Sequence, residues 1–284
     1  MFAPMVKTEF KKLARRKLLW IEMIVLGGLI VMFFGSLFAL HESGLLTEDT
    51  SEVSDVIAWP DGLITALGFA SGQGLGGLLV VILVSVVVAQ EYDWGTIGLW
   101  LHQGISRRTV LAAKFAVLLV AAVLLTLAPL VIGGLFSAAI TPSIVGELDL
   151  SQANFGELVL SVLRTAYSLV PYIALTFLFA VLTRSMAFSI GVGVGYALVI
   201  EGVVSQLMIL VGGLPEKIAM WLPGLMAGSL SELNQQIVLS VNGEEREFIV
   251  EYLDPNLAAV GIAVYTVIFL GLAFWRFQKQ DISG

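Results

Sequence analysis

Long apolar stretches alternate with short polar ones along the whole chain, and the apolar stretches set its architecture. Six of them reach the ~20 residues that an α-helix needs to cross the hydrocarbon of a bilayer. They cover residues 18–40, 63–89, 110–140, 158–182, 187–211 and 257–275. Several are long enough to tilt or to project past the bilayer. The first is longer than the roughly 7–15 apolar residues of a signal peptide, and no clean cleavage site follows it, so it reads as a retained span. Ahead of it, residues 1–17 carry a helical period. Phe2, Val6, Phe10 and Leu13 share one face, and Lys7, Lys11 and Arg15 lie on the remaining surface. That pattern predicts an amphipathic helix lying in the membrane interface with its bases near anionic head groups.

The connection between spans five and six, residues 212–256, is long enough to fold by itself. Its first part carries apolar residues with Trp221 and two prolines, which suits short interfacial helices. Residues 237–241 and 248–252 flank Asn242 and Gly243, and Asn-Gly between apolar segments predicts a β-hairpin. The expected fold class is an all-α membrane protein. A six-helix domain spans 18–275, the element at 212–256 carries a small hairpin, and a tail covers 276–284.

Composition agrees. Hydrophobic residues make up 58% of the 284 and charged residues 13%, about half the usual share for a soluble domain. Mean hydropathy is +0.94. With no cysteine, disulfides, thiolate metal sites and a cysteine nucleophile are excluded.

The net charge of −7 hides a segregation. Lys7, Lys11, Lys12, Arg15, Arg16, Lys17, Arg107, Arg108, Lys114, Arg184, Arg276 and Lys279 fall on one side of a six-span topology, twelve of the 15 basic residues. The positive-inside rule makes that side cytoplasmic, with both termini inside. The expected location is the inner (cytoplasmic) membrane.

Several positions stand out within the spans. Gly68, Gly72 and Gly76 on span two, and Gly191 and Gly195 on span five, form small-xxx-small faces that let helices approach closely. Packing within the chain is the expected role on span five; on span two a subunit interface or a translocation wall is an equal alternative. Pro129 and Pro171 should kink or break spans three and four. Glu201 lies deep in span five, where a charge costs roughly 2.5–3.5 kcal/mol on insertion scales. It is either functional or a hydrogen-bonded lock between helices, with Ser205, Gln206 or Tyr196 as partners.

The connection at residues 90–109 carries the most information. Glu91 opens it, and Gly95 and Thr96 can start a short helix with Ile97, Trp100 and Leu101 on one face. Gly104 ends that helix, and Ser106 caps the next, with Arg107 and Arg108 in its first turn. The bland reading is a loop anchored at the interface by Trp94 and Trp100; the sharper one is a docking element.

This pattern, Glu91 with Gly95-Thr96, an apolar stretch, then Ser106-Arg107-Arg108 and Lys114, resembles the signature of ABC type-2 transporter permeases. His102-Gln103-Gly104 departs from it where the family often has a small residue and proline. The resemblance implies that the loop is a coupling helix seated on an ATPase subunit, with Ile97, Trp100 and Leu101 presented to that subunit and Glu91 and Arg108 holding its angle. It further implies a permease subunit of an exporter, working as a dimer with itself or a sister permease, bound to two ATPase copies and embedded in membrane lipid. No glycine is followed by lysine, so no Walker A loop is present. ATP and Mg would be bound by the partner, and no cofactor, metal, nucleic acid or enzymatic activity is expected of this chain. His41 and His102 fall on opposite sides of the predicted topology. The alternatives are an ion-coupled secondary transporter using Glu201 and a non-transporting scaffold or sensor partner.

Overall fold

The computed structural model describes residues 2–43, 56–242 and 252–280. Helix α1 is Phe2–Arg15 and α2 is Lys17–Glu42. Span two is made of α3, Asp61–Ala70, and α4, Leu75–Asp93. The short α5, Thr96–His102, leads into α6, Arg107–Ile144. Span four is α7, Phe155–Ser168, followed by α8, Val170–Thr183. Span five comprises α9, Met186–Gly195, a π-helical stretch over Tyr196–Val204, and α10, Ser205–Val211. After α11, Leu214–Ala219, and α12, Pro223–Asn242, the last described helix is α13, Pro255–Gln278.

Among the described residues no strand forms, and six helical segments are long and apolar enough to cross a membrane. They fall where the apolar runs place them. The hairpin does not form as expected. Residues 237–242 belong to α12, which runs to Asn242; residues 243–251 lie outside the described part. Asn and Gly serve equally as helix-end signals, which is the competing meaning of the same dipeptide.

Two prolines behave differently. Pro129 sits inside α6, which continues unbroken through it. Pro171 stands in the first turn of α8, a position where its missing N–H costs nothing, and span four is interrupted just before it.

The core has two main parts. At one end of the bundle, Val80, Val84, Leu118, Leu125, Phe177 and Val181 pack from α4, α6 and α8. Toward the other end, Leu26, Ile30 and Phe34 of α2 meet Ala66 and Ala70 of α3 and Ile140 of α6. At about 1.5 Å per residue, α6 is the longest strut, and α1, α2 and α3 all lean on it.

Candidate functional site

The basic end of the bundle collects α1, the end of α4, α5, the start of α6 and the ends of α8 and α13. Four charges of alternating sign close a ring there. Lys12 Nζ lies 2.9 Å from Glu9 and 3.1 Å from Glu91, and Lys114 Nζ lies 3.0 Å from Glu9 and 2.6 Å from Glu91. The last is a close ionic contact rather than an aligned hydrogen bond, since that Glu91 oxygen accepts none. Glu9, Glu91 and Lys114 are buried. Each desolvated charge touches two of opposite sign, which is the condition under which such burial is tolerable. The carboxylates of Glu91 and Glu9 more than offset the burial of Lys12 and hold its ammonium above its ordinary value.

The ring fixes α1 against the bundle. The stripe that packs against the protein is Met5, Glu9 and Leu13, whereas Phe2 and Phe10 are exposed. The i, i+4, i+8 spacing is present in the sequence, but an acid in its middle disguises it.

Helix α5 is set at both ends by positive φ, +64° at Gly95 and +79° at Gly104, backbone that glycine adopts without a steric cost. Thr96 Oγ1 donates to the Glu91 carbonyl at 3.3 Å, and Ser106 caps α6 by accepting from the Thr109 N–H. The expected outer face is turned inward, however. Ile97 is 2% exposed and belongs to the main core. Trp100 and Leu101 pack beside Met5 and Val110, and Lys12 Nζ stands 5.0 Å from the Trp100 ring centre. The surface that α5 offers outward is Leu99, at 60% exposure, with His102 and Gln103. A seven-residue helix lying on a bundle must bury its largest apolar face against the bundle, which leaves the opposite face to the outside.

Arg108 is exposed, and among the described residues it forms no ion pair. Arg107 does the positioning. Its guanidinium donates to the carbonyls of Phe277 at 3.0 Å, Gln278 at 3.2 Å and Gln280. The first two are among the last carbonyls of α13, where a cation is favoured. Gln280 completes the tie, donating to the Val181 carbonyl at 2.6 Å and accepting from Tyr92 at 3.3 Å.

A second site lies within the spans. Glu201 accepts from the Gly224 N–H at 2.9 Å and from the Tyr172 hydroxyl, and Tyr196 adds a further hydrogen-bonding interaction. Ser205 donates to the Glu201 backbone carbonyl rather than to its carboxylate. The carboxylate thus meets the N-terminus of α12 from across the bundle. Three irregularities converge on it: the π-helical stretch carrying Glu201, the break at Ser71–Gly74 in span two and the break before Pro171 in span four. Isolated π-helical turns concentrate at functional sites. A cavity of about 370 Å³ opens here, lined among others by Gly72, Gln73, Glu201, Gln206 and Tyr252. Among the described residues no basic one lines it.

The glycines are sorted by this arrangement. Span two has no continuous glycine face, because the helix stops at Ala70. A Cβ on Gly72 would lie 2.6 Å from the Ser168 carbonyl oxygen, and one on Gly76 would meet the Ala70 backbone. Gly68, Gly191 and Gly195 face open space within the chain. The close approach in span five is made by Gly193, against Val81 of α4, and not by the Gly191–Gly195 pair.

Sequence reasoning missed Glu22, which is 3% exposed on α2 with neither carboxyl oxygen hydrogen-bonded among the described residues. It lies close after a basic segment, so it reads as the tail of the charged region. It also missed the roles of Glu9 and Lys12, which become legible only once α1 folds back onto residues 79 to 105 positions away.

The chain is similar to the uncharacterized protein YhcI of Bacillus subtilis (strain 168), 25% identical over 222 residues that cover 74% of this chain and 66% of that relative. It spans less than two thirds of the length of that protein. Over residues 73–283, from the break in span two through the C-terminal helix, it matches a family described as protein of unknown function (DUF2705), and the chain belongs to that family.

Proposed function

We propose that this protein is the membrane subunit of an ATP-driven exporter, an ABC type-2 permease whose separate ATPase docks on the basic end of the bundle. The observation that carries this reading is the mounting of α5. It is a short helix between spans two and three, fixed by a positive-φ glycine at each end, rooted by Ile97 in the core and presenting Leu99 outward. A push on such a helix passes into α4 and α6 directly, and into α1 through the ring of Glu9, Lys12, Glu91 and Lys114.

In this reading both termini and α5 face the cytoplasm, following the basic residues, and α1 lies at that interface. A second permease chain would pair along span five. Only 6% of its most apolar window is buried, and Gly191 and Gly195 leave that face open to a close partner. ATP and Mg stay with the partner. Recovery of an ABC ATPase with the intact protein, sensitive to Leu99, tests the proposal.

One observation favours a second reading. Discontinuous helices around an intramembrane carboxylate are the setting in which ion-coupled carriers bind their ions. Transport by the purified chain in proteoliposomes without any ATPase, abolished in Glu201→Gln, would select that reading.

A further inference from the structure

The ring does not consume all the positive charge at the basic end. A groove of about 520 Å³ opens beside it, bordered by Lys12, Arg15, Arg16 and Lys17. Its bordering acid is Glu91, already held between Lys12 and Lys114. With Lys114 and Glu9 included, five cations meet two carboxylates.

The joint between α1 and α2 creates this opening. Arg16 is extended, at φ −73° and ψ 122°, so the chain turns there and brings Arg15 and Lys17 round to one mouth. Arg16 itself is oriented from below. It donates to the Val86 carbonyl at 3.3 Å and to Gln90 at 2.7 Å, and its guanidinium stands 5.7 Å from the Trp94 ring centre. Among the described residues, the other donors of its fork are unused. The rest of the wall combines apolar Leu18, Val86 and Trp94 with the polar side chains of Gln90 and Thr96. Trp94 on that wall is exposed, as is Trp20, whose indole N–H donates to the Ala14 carbonyl at 2.9 Å; exposed tryptophans mark the head-group level of a bilayer.

We propose that this groove is a binding site for the phosphate of an anionic phospholipid, whose acyl chains lie along the apolar surfaces of α2 and α4. A free phosphate would use the same cations but would gain nothing from the apolar wall. The inference rests on the membrane reading of the chain and is independent of any ATPase partner.

The test is native mass spectrometry of the full-length protein in detergent, titrated separately with phosphatidylglycerol, phosphatidylcholine and inorganic phosphate. Wild type and Lys217→Gln should retain phosphatidylglycerol in clear preference to phosphatidylcholine. Arg15→Gln/Lys17→Gln should bind phosphatidylglycerol about thirtyfold more weakly, each basic side chain near an anionic surface being worth roughly fivefold. Should that double variant fail to fold, Lys17→Gln alone, with about a fivefold loss, tests the same point. Equal retention of the two lipids by wild type, an unchanged affinity in the folded variant, or displacement of the lipid by millimolar inorganic phosphate would overturn the proposal.

Discussion

Lys114 Nζ lies 2.6 Å from the Glu91 carboxylate, and only 1% of the Lys114 side chain reaches solvent. That pair joins span two to span three at the level where α5 leaves the bundle, and Glu9 and Lys12 extend it to α1. Removing one member of a buried ion pair typically costs about 3–5 kcal/mol, because the partner is left desolvated and uncompensated. Lys114→Met should therefore lower the melting temperature sharply in detergent. Glu9→Gln on the same background should recover part of the loss, since it deletes one stranded charge. The ring also predicts a pH dependence. Lys12 is raised above its ordinary 10.5 when folded, so its contribution is complete below that value and is lost as pH rises through the folded one. Stability should be flat on this account near neutrality and fall at strongly alkaline pH, less so in Lys12→Met.

Glu22 offers a change in the opposite direction. A buried carboxyl with no hydrogen-bond partner costs on the order of 1–3 kcal/mol, and α2 packs it against the bundle. Glu22→Leu should raise the melting temperature. A lower one would mean that the carboxyl has a partner that the described residues do not include.

Glu201 holds the Gly224 N–H and the Tyr172 hydroxyl, so the shape of its replacement matters. Glu201→Gln keeps one acceptor and should fold with a modest loss of stability. Glu201→Leu strands two donors and should cost about 2 kcal/mol or more. Transport measured on the Gln variant should fall, because the carboxylate lies at the junction of three interrupted helices. Full transport in Glu201→Gln would reduce the residue to a structural tie.

How much of this was legible in the sequence depends on range. The six spans were, because some 20 apolar residues in a row have few alternatives. The ends of α5 were as well, since Gly95, Gly104 and Ser106 act within a few residues of themselves. The break at Ser71–Gly74 was written in Ser-Gly-Gln-Gly, where two glycines and a serine favour leaving the helix, yet the spacing of Gly68, Gly72 and Gly76 spoke for a continuous face. The inward turn of Ile97 and Trp100 was not legible. An apolar stripe on a short helix looks the same whether it covers its own bundle or waits for a partner. Neither was the ring, whose members come from three helices far apart in the chain.

Orientation can be read chemically because the chain has no cysteine. Gln103, beyond α5, and Glu147, beyond α6, are both exposed and stand at opposite ends of α6. A cysteine at Glu147 should react with an impermeant maleimide on intact cells, and one at Gln103 only after lysis. The reverse pattern would invert the topology and remove α5 from the reach of a cytoplasmic ATPase.

The outward face of α5 is where a docked ATPase must touch. Buried anchors at the centre of such interfaces are typically worth about 2 kcal/mol, or some thirtyfold in affinity. Leu99→Asp places a charge there without disturbing Ile97 or Trp100 beneath, and should leave the melting temperature of the free chain nearly unchanged. The most direct measurement is affinity purification of the tagged protein from its native membranes, with quantification of any ABC ATPase recovered with it. The wild type should carry the ATPase in stoichiometric amount and Leu99→Asp should lose most of it. Wild-type protein recovered without an ATPase, or Leu99→Asp retaining it in full, would contradict the coupling role of α5.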